Sequence, residues 1–466
     1  MKVLLINPSF KRKIGKTERV SPVLPPIGLA CLAGVLKKEN IETRILDLNA
    51  LNLTQEQTID YIKNYNPNLI GIGAVTTTIF KSFNLAEIIK QNFPEKQIVF
   101  GGPHPTALPL ESIKKNFVDF VVIGEGEITL LELTKELMKK GKKNFKKVNG
   151  LVFKKNNKII INKLRENIKN LDSLPFPAIE LLPLDKYISR DTKYKKFMSI
   201  ITSRGCPGRC TFCNKKIFGY NCYMRSAENI IQEIEYLNKK YGYRDFHILD
   251  DLFTNDRKRV VDFCNFLIKK NLKIRWKCAN GVRVNTVDLE LLKLMKKTGC
   301  YMLNYGVESG NQKILNLMKK GQTLKQVEEA VGLTKKVGIN CGCCFMFGNI
   351  GENQKTMQET IDFAKKLNPD IAMFSILIPY PGTPVRETIE KEGRIFINDW
   401  NEYDNFEGIA IFEHGELKKE IMEKMYKKAY KEFYLRPTYI IRQIFKIRNL
   451  NEMRNRLNAF LALFEM

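Results

Sequence analysis

No apolar run in this 466-residue sequence approaches the ~20 residues that a membrane-spanning helix needs; IAMFSILI at Ile371–Ile378, the longest, falls far short. The N-terminus, MKVLLINPSF, has too short an apolar stretch and no small-residue cleavage site for an export signal, and it reads as a buried strand. Proline- and serine-rich tracts are also missing. A globular, cytoplasmic protein is the expectation. There, eleven cysteines read as reduced thiols and metal ligands rather than disulfides. They are unevenly spread: residues 1–145 hold only Cys31, and none follows Cys344.

The formal charge of +27 raises the possibilities of nucleic acid, an anionic membrane surface or acidic substrates. Lysine pairs recur along the whole chain, however, as at Lys37-Lys38, Lys239-Lys240 and Lys319-Lys320. No stripe of arginine and aromatic residues marks a nucleic-acid groove, so the charge reads as solvated faces.

The length suggests two or three domains. Five apolar strands, KVLLIN (2–7), TRILDL (43–48), LIGIGAV (69–75), QIVFGG (97–102) and DFVVIG (119–124), alternate with helical patterns. That predicts a parallel sheet covered on both faces, with ligands at the carboxyl ends of its strands. Thr76, Thr77 and Thr78, the GGPHP run with Gly101, Gly102 and His104, and the GEGE run with Gly124, Glu125 and Gly126 sit at those ends. A connector over 146–195 contains a hairpin around Asn156-Asn157 and a proline-punctuated extended run. Six further strand–helix units begin at FMSIITS (197–203) and predict an open or closed barrel. The final stretch is helical in pattern, with Ile440, Ile441, Ile444 and Phe445 on one face and Leu457, Phe460, Leu461 and Phe464 on another. It reads as a helical cap or as a basic amphipathic surface for a membrane or partner.

After the first of these six strands stands CPGRCTFC, with Cys206, Cys210 and Cys213 spaced C-x3-C-x2-C. Structural zinc and ordinary iron–sulfur clusters take four protein ligands. Three thiolates on a four-iron cluster leave one iron open for a small molecule. The loop resembles the signature of radical S-adenosylmethionine (SAM) enzymes. The resemblance implies a 4Fe-4S cluster whose open iron is chelated by SAM, with reductive cleavage to a 5′-deoxyadenosyl radical. It also places Phe212 near the adenine. Asp250 and Asp251 follow the second strand, where the family keeps polar groups for SAM and where a carboxylate also serves as a helix N-cap. Glu308 and Ser309 in NYGVESG, and Gly348 in FMFGNIGE, resemble further SAM-contacting segments. Arg283 is a candidate for SAM or for a surface ion pair. Cys341, Cys343 and Cys344 alternate across one strand and read as packing residues.

The front domain resembles the cobalamin-binding domain found in many radical SAM proteins, through PPIGLACLAGVLKKENIETRILD (25–47), GGPHPTALPLE (101–111) and DFVVIGEGE (119–127). A methylthiotransferase would carry three cysteines there, and Cys31 is alone. The loop NPSFKRKIGKTERV (7–20) contains neither Asp nor His, so the resemblance implies cobalamin without a histidine as lower ligand. The threonines at 76–78 contact the corrin or cap the next helix, and His104 is either a corrin contact or a hydrogen-bonded loop residue.

The sequence therefore predicts an α/β protein in four parts. A Rossmann-like, flavodoxin-like cobalamin domain (1–145) and the connector precede a partial (β/α)6 radical SAM barrel of the TIM type (196–400) and a C-terminal helical cap (401–466). The broad group resembled includes the anaerobic magnesium-protoporphyrin IX monomethyl ester cyclase and class B radical SAM methyltransferases. It implies methylation of an unactivated carbon of a small-molecule or lipid substrate, with oxidative cyclisation or rearrangement as the alternative. A low-potential electron donor such as a flavodoxin or ferredoxin is the implied partner. A non-catalytic iron–sulfur binding or sensor protein is the reading from another class.

Overall fold

The computed structural model describes residues 1–9, 22–189, 192–194, 196–397, 399–403 and 408–445. Near-continuous apolar runs form the central strands of the first sheet: β1 (Lys2–Asn7), β2 (Glu42–Asp47), β3 (Leu69–Gly73), β4 (Gln97–Gly101) and β5 (Phe120–Val122). They lie in the order β2-β1-β3-β4-β5, all parallel, which is flavodoxin-like. The chain reverses direction across the sheet between β1 and β3, and there the carboxyl ends open a crevice. The connector hairpin, β6 (Leu151–Lys155) and β7 (Lys158–Ile161), extends this sheet in antiparallel fashion beside β5. Asn156 and Asn157 both take positive φ (48° and 60°), as a two-residue hairpin turn requires. Helices α1 (Ile27–Lys38) and α2 (Glu127–Met138) pack on each other over the crevice end.

The second sheet has six strands in sequence order: β8 (Met198–Ile200), β9 (Asp245–Ile248), β10 (Arg275–Val282), β11 (Cys300–Glu308), β12 (Asn340–Phe347) and β13 (Ile371–Ile376). All neighbours are parallel, and β8 and β13 remain edges, so the sheet is an open, partial barrel. Cys341 and Cys343 are buried, with their sulfurs 3.9 Å apart on one face of β12. The C-terminal part opens with a short ribbon, β14 (Gly393–Ile395) paired with β15 (Phe412–His414), before helix α3 (Lys419–Tyr434). Buried Ile411 and Phe412 explain why strand interrupts the helical pattern. Helix α3 closes one face of β13 through Tyr430 and Tyr434, whose hydroxyls donate to the carbonyls of Phe374 (3.0 Å) and Ala372 (2.7 Å). Helix α4 (Pro437–Ile444) exposes Ile441 and Ile444, with Phe445 beyond it. Leu457, Phe460, Leu461 and Phe464 lie outside the described residues.

One contiguous apolar core runs from Val3 and Leu5 of the first sheet to Ile200 and Phe246 of the second. The proline-rich connector seals it by lying on α1: a side chain at Gly34 would place its Cβ 2.6 Å from the Phe176 carbonyl oxygen. At the carboxyl ends of both sheets, Arg204 donates to Glu125 and Glu127, each at 2.6 Å, and both carboxylates are buried. The Glu125 carboxylate also accepts the Ile168 amide at 2.7 Å, tying in the connector.

Two stability predictions follow from buried charge. Arg204→Met leaves two buried carboxylates without their cation and is expected to cost about 3–5 kcal/mol in denaturant unfolding. Glu352, in the turn after β12, is fully desolvated, and burial pushes its carboxyl up from 4.5 to about 8. One oxygen accepts the Asn349 amide at 2.8 Å, while the other has no partner among the described residues. The folded protein thus holds a proton that the unfolded chain releases. This contribution to stability is complete below about pH 4.5 and is lost as pH rises through about 8. Glu352→Gln should flatten the stability profile across that window, measured by anaerobic unfolding at a series of pH values.

Candidate active site

The cysteine loop leaves β8 through Gly205, whose φ is +83°. A Cβ there would lie 2.4 Å from the Asn221 carbonyl oxygen, so only glycine fits. The Gly205 amide donates to Asp251 at 2.9 Å. Further along, the Thr211 amide donates to the Met318 carbonyl, the Val385 amide to the Thr211 carbonyl and Lys215 Nζ to the Cys206 carbonyl, each at 3.0 Å. Rigid neighbours therefore fix the loop from three sides.

Cys206, Cys210 and Cys213 line a cavity of about 290 Å³. A hydrogen bond from Cys213 pulls the Cys210 thiol down to about 6, helped by Lys320, while the Cys213 thiol is pushed up. The hydrogen bond between the two sulfurs thus favours a thiolate in this pair, and thiolate is the form that binds metal. Phe212, Asp251, Arg283, Glu308 and Lys320 share the same wall. Lys320 Nζ lies 2.7 Å from Glu308 Oε1 and 5.7 Å from the Phe212 ring centre. Arg283 donates to the carbonyls of Lys320 (2.6 Å) and Gly321 (3.0 Å), and its buried Nε has no partner among the described residues.

Other residues singled out in the sequence stand behind this wall. Asp250 is buried and accepts from the Thr202 amide and the Ser203 hydroxyl, each at 2.6 Å, with Arg259 at 3.7 Å. It clamps the end of β8, whereas burial pushes the Asp251 carboxyl upward on the cavity face. Ser309 is buried and accepts the Asn311 amide at 3.2 Å, shaping the turn after β11. Gly348, at φ +89°, gives room to the cap, since a Cβ there would meet Met422 Sδ at 3.0 Å.

A second cavity, of about 470 Å³, lies between the carboxyl ends of the two sheets. Thr78, Gly101, Gly102, Gly124, Glu125 and Gly126 belong to its wall; Thr76, Thr77 and His104 do not. Gly102, at φ +104°, admits no side chain because a Cβ would lie 2.8 Å from the Ala74 carbonyl oxygen. At Gly124 a Cβ would meet nothing within 4 Å, so glycine there answers to its φ of +81° and leaves the floor open. Glu125 pairs with Arg204, which lines the same cavity. His104 is fully buried, with Nδ1 3.3 Å from Thr76 Oγ1 and its ring edge-on to Trp400. Burial lowers its pKa to about 4, which keeps the ring neutral. Cys31 is on the cavity wall, but burial pushes its thiol up to about 12 and it stays protonated.

Phe218 and Asp251 line both cavities, so the two compartments meet there. Several of the contacts that build the site were not legible as such. Lys320 read as one more solvated lysine, and nothing in the sequence pairs it with Glu308. Phe218 and Arg204 carried no motif signal at all. The donor sets fit the implied groups. Three thiols and no other cysteine line the smaller cavity, which suits a four-iron cluster with one open corner. The larger cavity has a glycine floor under apolar walls that include Leu29, Leu32 and Leu130, which suits the flat face of a corrin.

Residues 200–364 match the radical SAM superfamily, and residues 17–134 match the B12 binding domain. A protein of Pyrococcus horikoshii named as an uncharacterized methyltransferase is 35% identical over 452 residues, covering 96% of this chain and 95% of its own. The anaerobic magnesium-protoporphyrin IX monomethyl ester cyclase of Rubrivivax gelatinosus is 28% identical, over 94% of this chain and 78% of its own. Among solved structures, the cobalamin-dependent SAM radical enzyme OxsB with aqua-cobalamin bound superposes with a TM-score of 0.76 at 20% identity, covering 99% of this chain and 71% of that one. The methyltransferase TsrM of Kitasatospora setae, with cobalamin and a [4Fe-4S] cluster bound, gives 0.69 at 19% identity, over 86% and 84% of the two chains. With a 4Fe-4S cluster, SAM and cobalamin as its cofactors, this chain belongs to the radical SAM proteins that carry a cobalamin-binding domain, alongside the magnesium-protoporphyrin monomethyl ester cyclases and cobalamin-dependent radical SAM methyltransferases.

Proposed function

We propose that this protein methylates an unactivated carbon of a small-molecule or lipid substrate held where the two cavities meet. The observation that carries this reading is the common wall of Phe218 and Asp251, which sets the thiol-lined space directly against the glycine-floored one. Once bound, the cluster and SAM supply a deoxyadenosyl radical, and cobalamin supplies methyl transfer. Everything else falls to the chain itself.

Cys206, Cys210 and Cys213 hold the cluster. Phe212 offers a flat apolar face to an adenine, and Lys320, Glu308 and Arg283 offer both charges to an amino acid's carboxylate and ammonium. Thr78, Gly101, Gly102, Gly124 and Gly126 seat the corrin. Asp250, Ser309 and Gly348 hold the surrounding turns in place, and His104 and Glu125 brace the cobalamin side. The apolar walls exclude water, which protects reactive species and fixes the substrate in a near-attack position. No side-chain acid–base pair is needed; Asp251, on the wall common to both cavities, would offer its carboxyl to SAM or to a hydroxyl or amine of the substrate.

Anaerobic reconstitution followed by product analysis tests the reading. Methyl transfer predicts S-adenosylhomocysteine in step with methylated product. Deoxyadenosine without S-adenosylhomocysteine would assign the chain to oxidative cyclisation or rearrangement instead, and no SAM cleavage under strong reduction would remove the enzyme reading. Cys210→Ala should lose cluster iron and bring deoxyadenosine to background. Lys320→Met should retain cluster iron yet weaken SAM binding roughly ten- to a hundredfold, the worth of a charge-assisted hydrogen bond, measured by equilibrium dialysis.

A further inference from the structure

The outer side of the cysteine loop carries an unusual charge pattern. No Asp or Glu occurs from Phe197 to Ala227, and none from Ser309 to Val327. The fold brings these two acid-free stretches together, as the Thr211 amide donates to the Met318 carbonyl at 3.0 Å. Arg209 and Lys216 on the loop, and Lys319 beside it, are exposed. Among the described residues none of the three has an acidic partner, whereas cations elsewhere on the surface commonly do. Two large apolar side chains are exposed on the same stretches, Tyr220 at 52% and Leu317 at 45%. The Arg209 guanidinium stands 5.6 Å from the Tyr220 ring centre. Arg209 directly precedes Cys210, so this surface lies one residue away from a cluster thiol.

We propose that this face is the docking surface for the reductant: an acidic, low-potential one-electron carrier protein of the flavodoxin or ferredoxin kind. The proposal rests on the cluster reading above. In the step concerned, the carrier is oxidised by one electron and the oxidised cluster takes up that electron, with no bond made or broken. Unpaired cations steer an acidic partner over distances of about a Debye length, and exposed Tyr220 and Leu317 supply a small apolar contact. A small, weak, rapidly dissociating interface is what repeated electron delivery requires.

The test uses the full-length protein with reconstituted cluster and flavodoxin hydroquinone as donor. Cluster reduction is followed by stopped-flow absorbance over a salt series, and binding of oxidised flavodoxin is measured alongside. The patch variant is Arg209→Glu with Lys319→Glu. The control, Lys63→Glu on the first domain with Lys158→Glu on the connector hairpin, changes net charge equally. The wild-type rate should fall steeply with salt. At low salt the patch variant should be slower by about tenfold or more, bind flavodoxin more weakly and lose most of the salt dependence, while the control stays within about twofold. Iron content and SAM cleavage driven by titanium(III) citrate should match in all three proteins. A patch variant reduced at the wild-type rate, or a control slowed equally, would overturn the docking surface. Wild-type protein that cleaves no SAM with titanium(III) citrate would instead overturn the functional reading beneath it.

Discussion

Arg204, only slightly exposed, lies between the carboxylates of Glu125 and Glu127, two residues before the first cysteine of the loop. The arrangement of both cavities depends on this contact. Glu125 and Glu127 follow the last parallel strand of the first sheet, and Arg204 follows the first strand of the second. One guanidinium thereby joins the carboxyl ends of two sheets whose strands were specified independently. Three charges out of water are expensive unless each is met. Here the fork of the arginine meets both acids, and Glu125 has further donors in Ile168 and Asn167. Because the desolvation cost is recovered only in one geometry, the contact fixes register as well as proximity.

Around that junction the charged and neutral groups are sorted by what surrounds them. Asp250 meets the Thr202 amide, the Ser203 hydroxyl and an arginine behind the wall, so its role is to hold the end of β8. Asp251, its neighbour, has the Gly205 amide and an open cavity, and burial favours its neutral form. His104 is kept neutral by burial against Trp400, which itself donates to Glu111 at 2.9 Å. That contact brings the segment after the barrel back onto the first domain, so the C-terminal part also helps hold the two halves in one relation.

The fold was largely legible because it rests on local patterns. Apolar strand runs at Lys2–Asn7 and Leu69–Gly73 name buried parallel strands almost to the residue, and Asn156-Asn157 names its own turn. The cysteine loop was legible because three thiols at fixed spacing have few alternative uses. Contacts between distant segments were not legible. A lysine pair says nothing about which lysine is buried, and only the turn after β11 brings Lys320 to Glu308. Nor does GEGE reveal that its acids meet an arginine from the second sheet. The ribbon in the C-terminal part was missed for the same reason: Phe412 is buried by tertiary packing, which a helical periodicity further along the chain does not report.

Glu308 shows how the backbone serves the site. It takes φ +68°, a left-handed conformation that is costly for a residue with a side chain. The pairing of β11 with β12 slips its register between Gly306 and Glu308, so a bulge sits just where the strand ends. Bulges re-aim side chains, and this one turns a carboxylate that strand alternation alone would not direct toward the cysteine loop. Gly306 makes the manoeuvre possible: a Cβ there would lie 2.5 Å from Glu308 Oε1 and 2.8 Å from Lys320 Nζ. The strain is therefore held by three features at once, the bulge, the bare glycine and the ion pair. Such over-determination is typical of positions where geometry serves chemistry rather than stability. A carboxylate placed for packing alone would need none of them. Placed opposite Lys320 on the wall that also carries Cys210 and Cys213, it gives the cavity both signs of charge within one hydrogen-bond length.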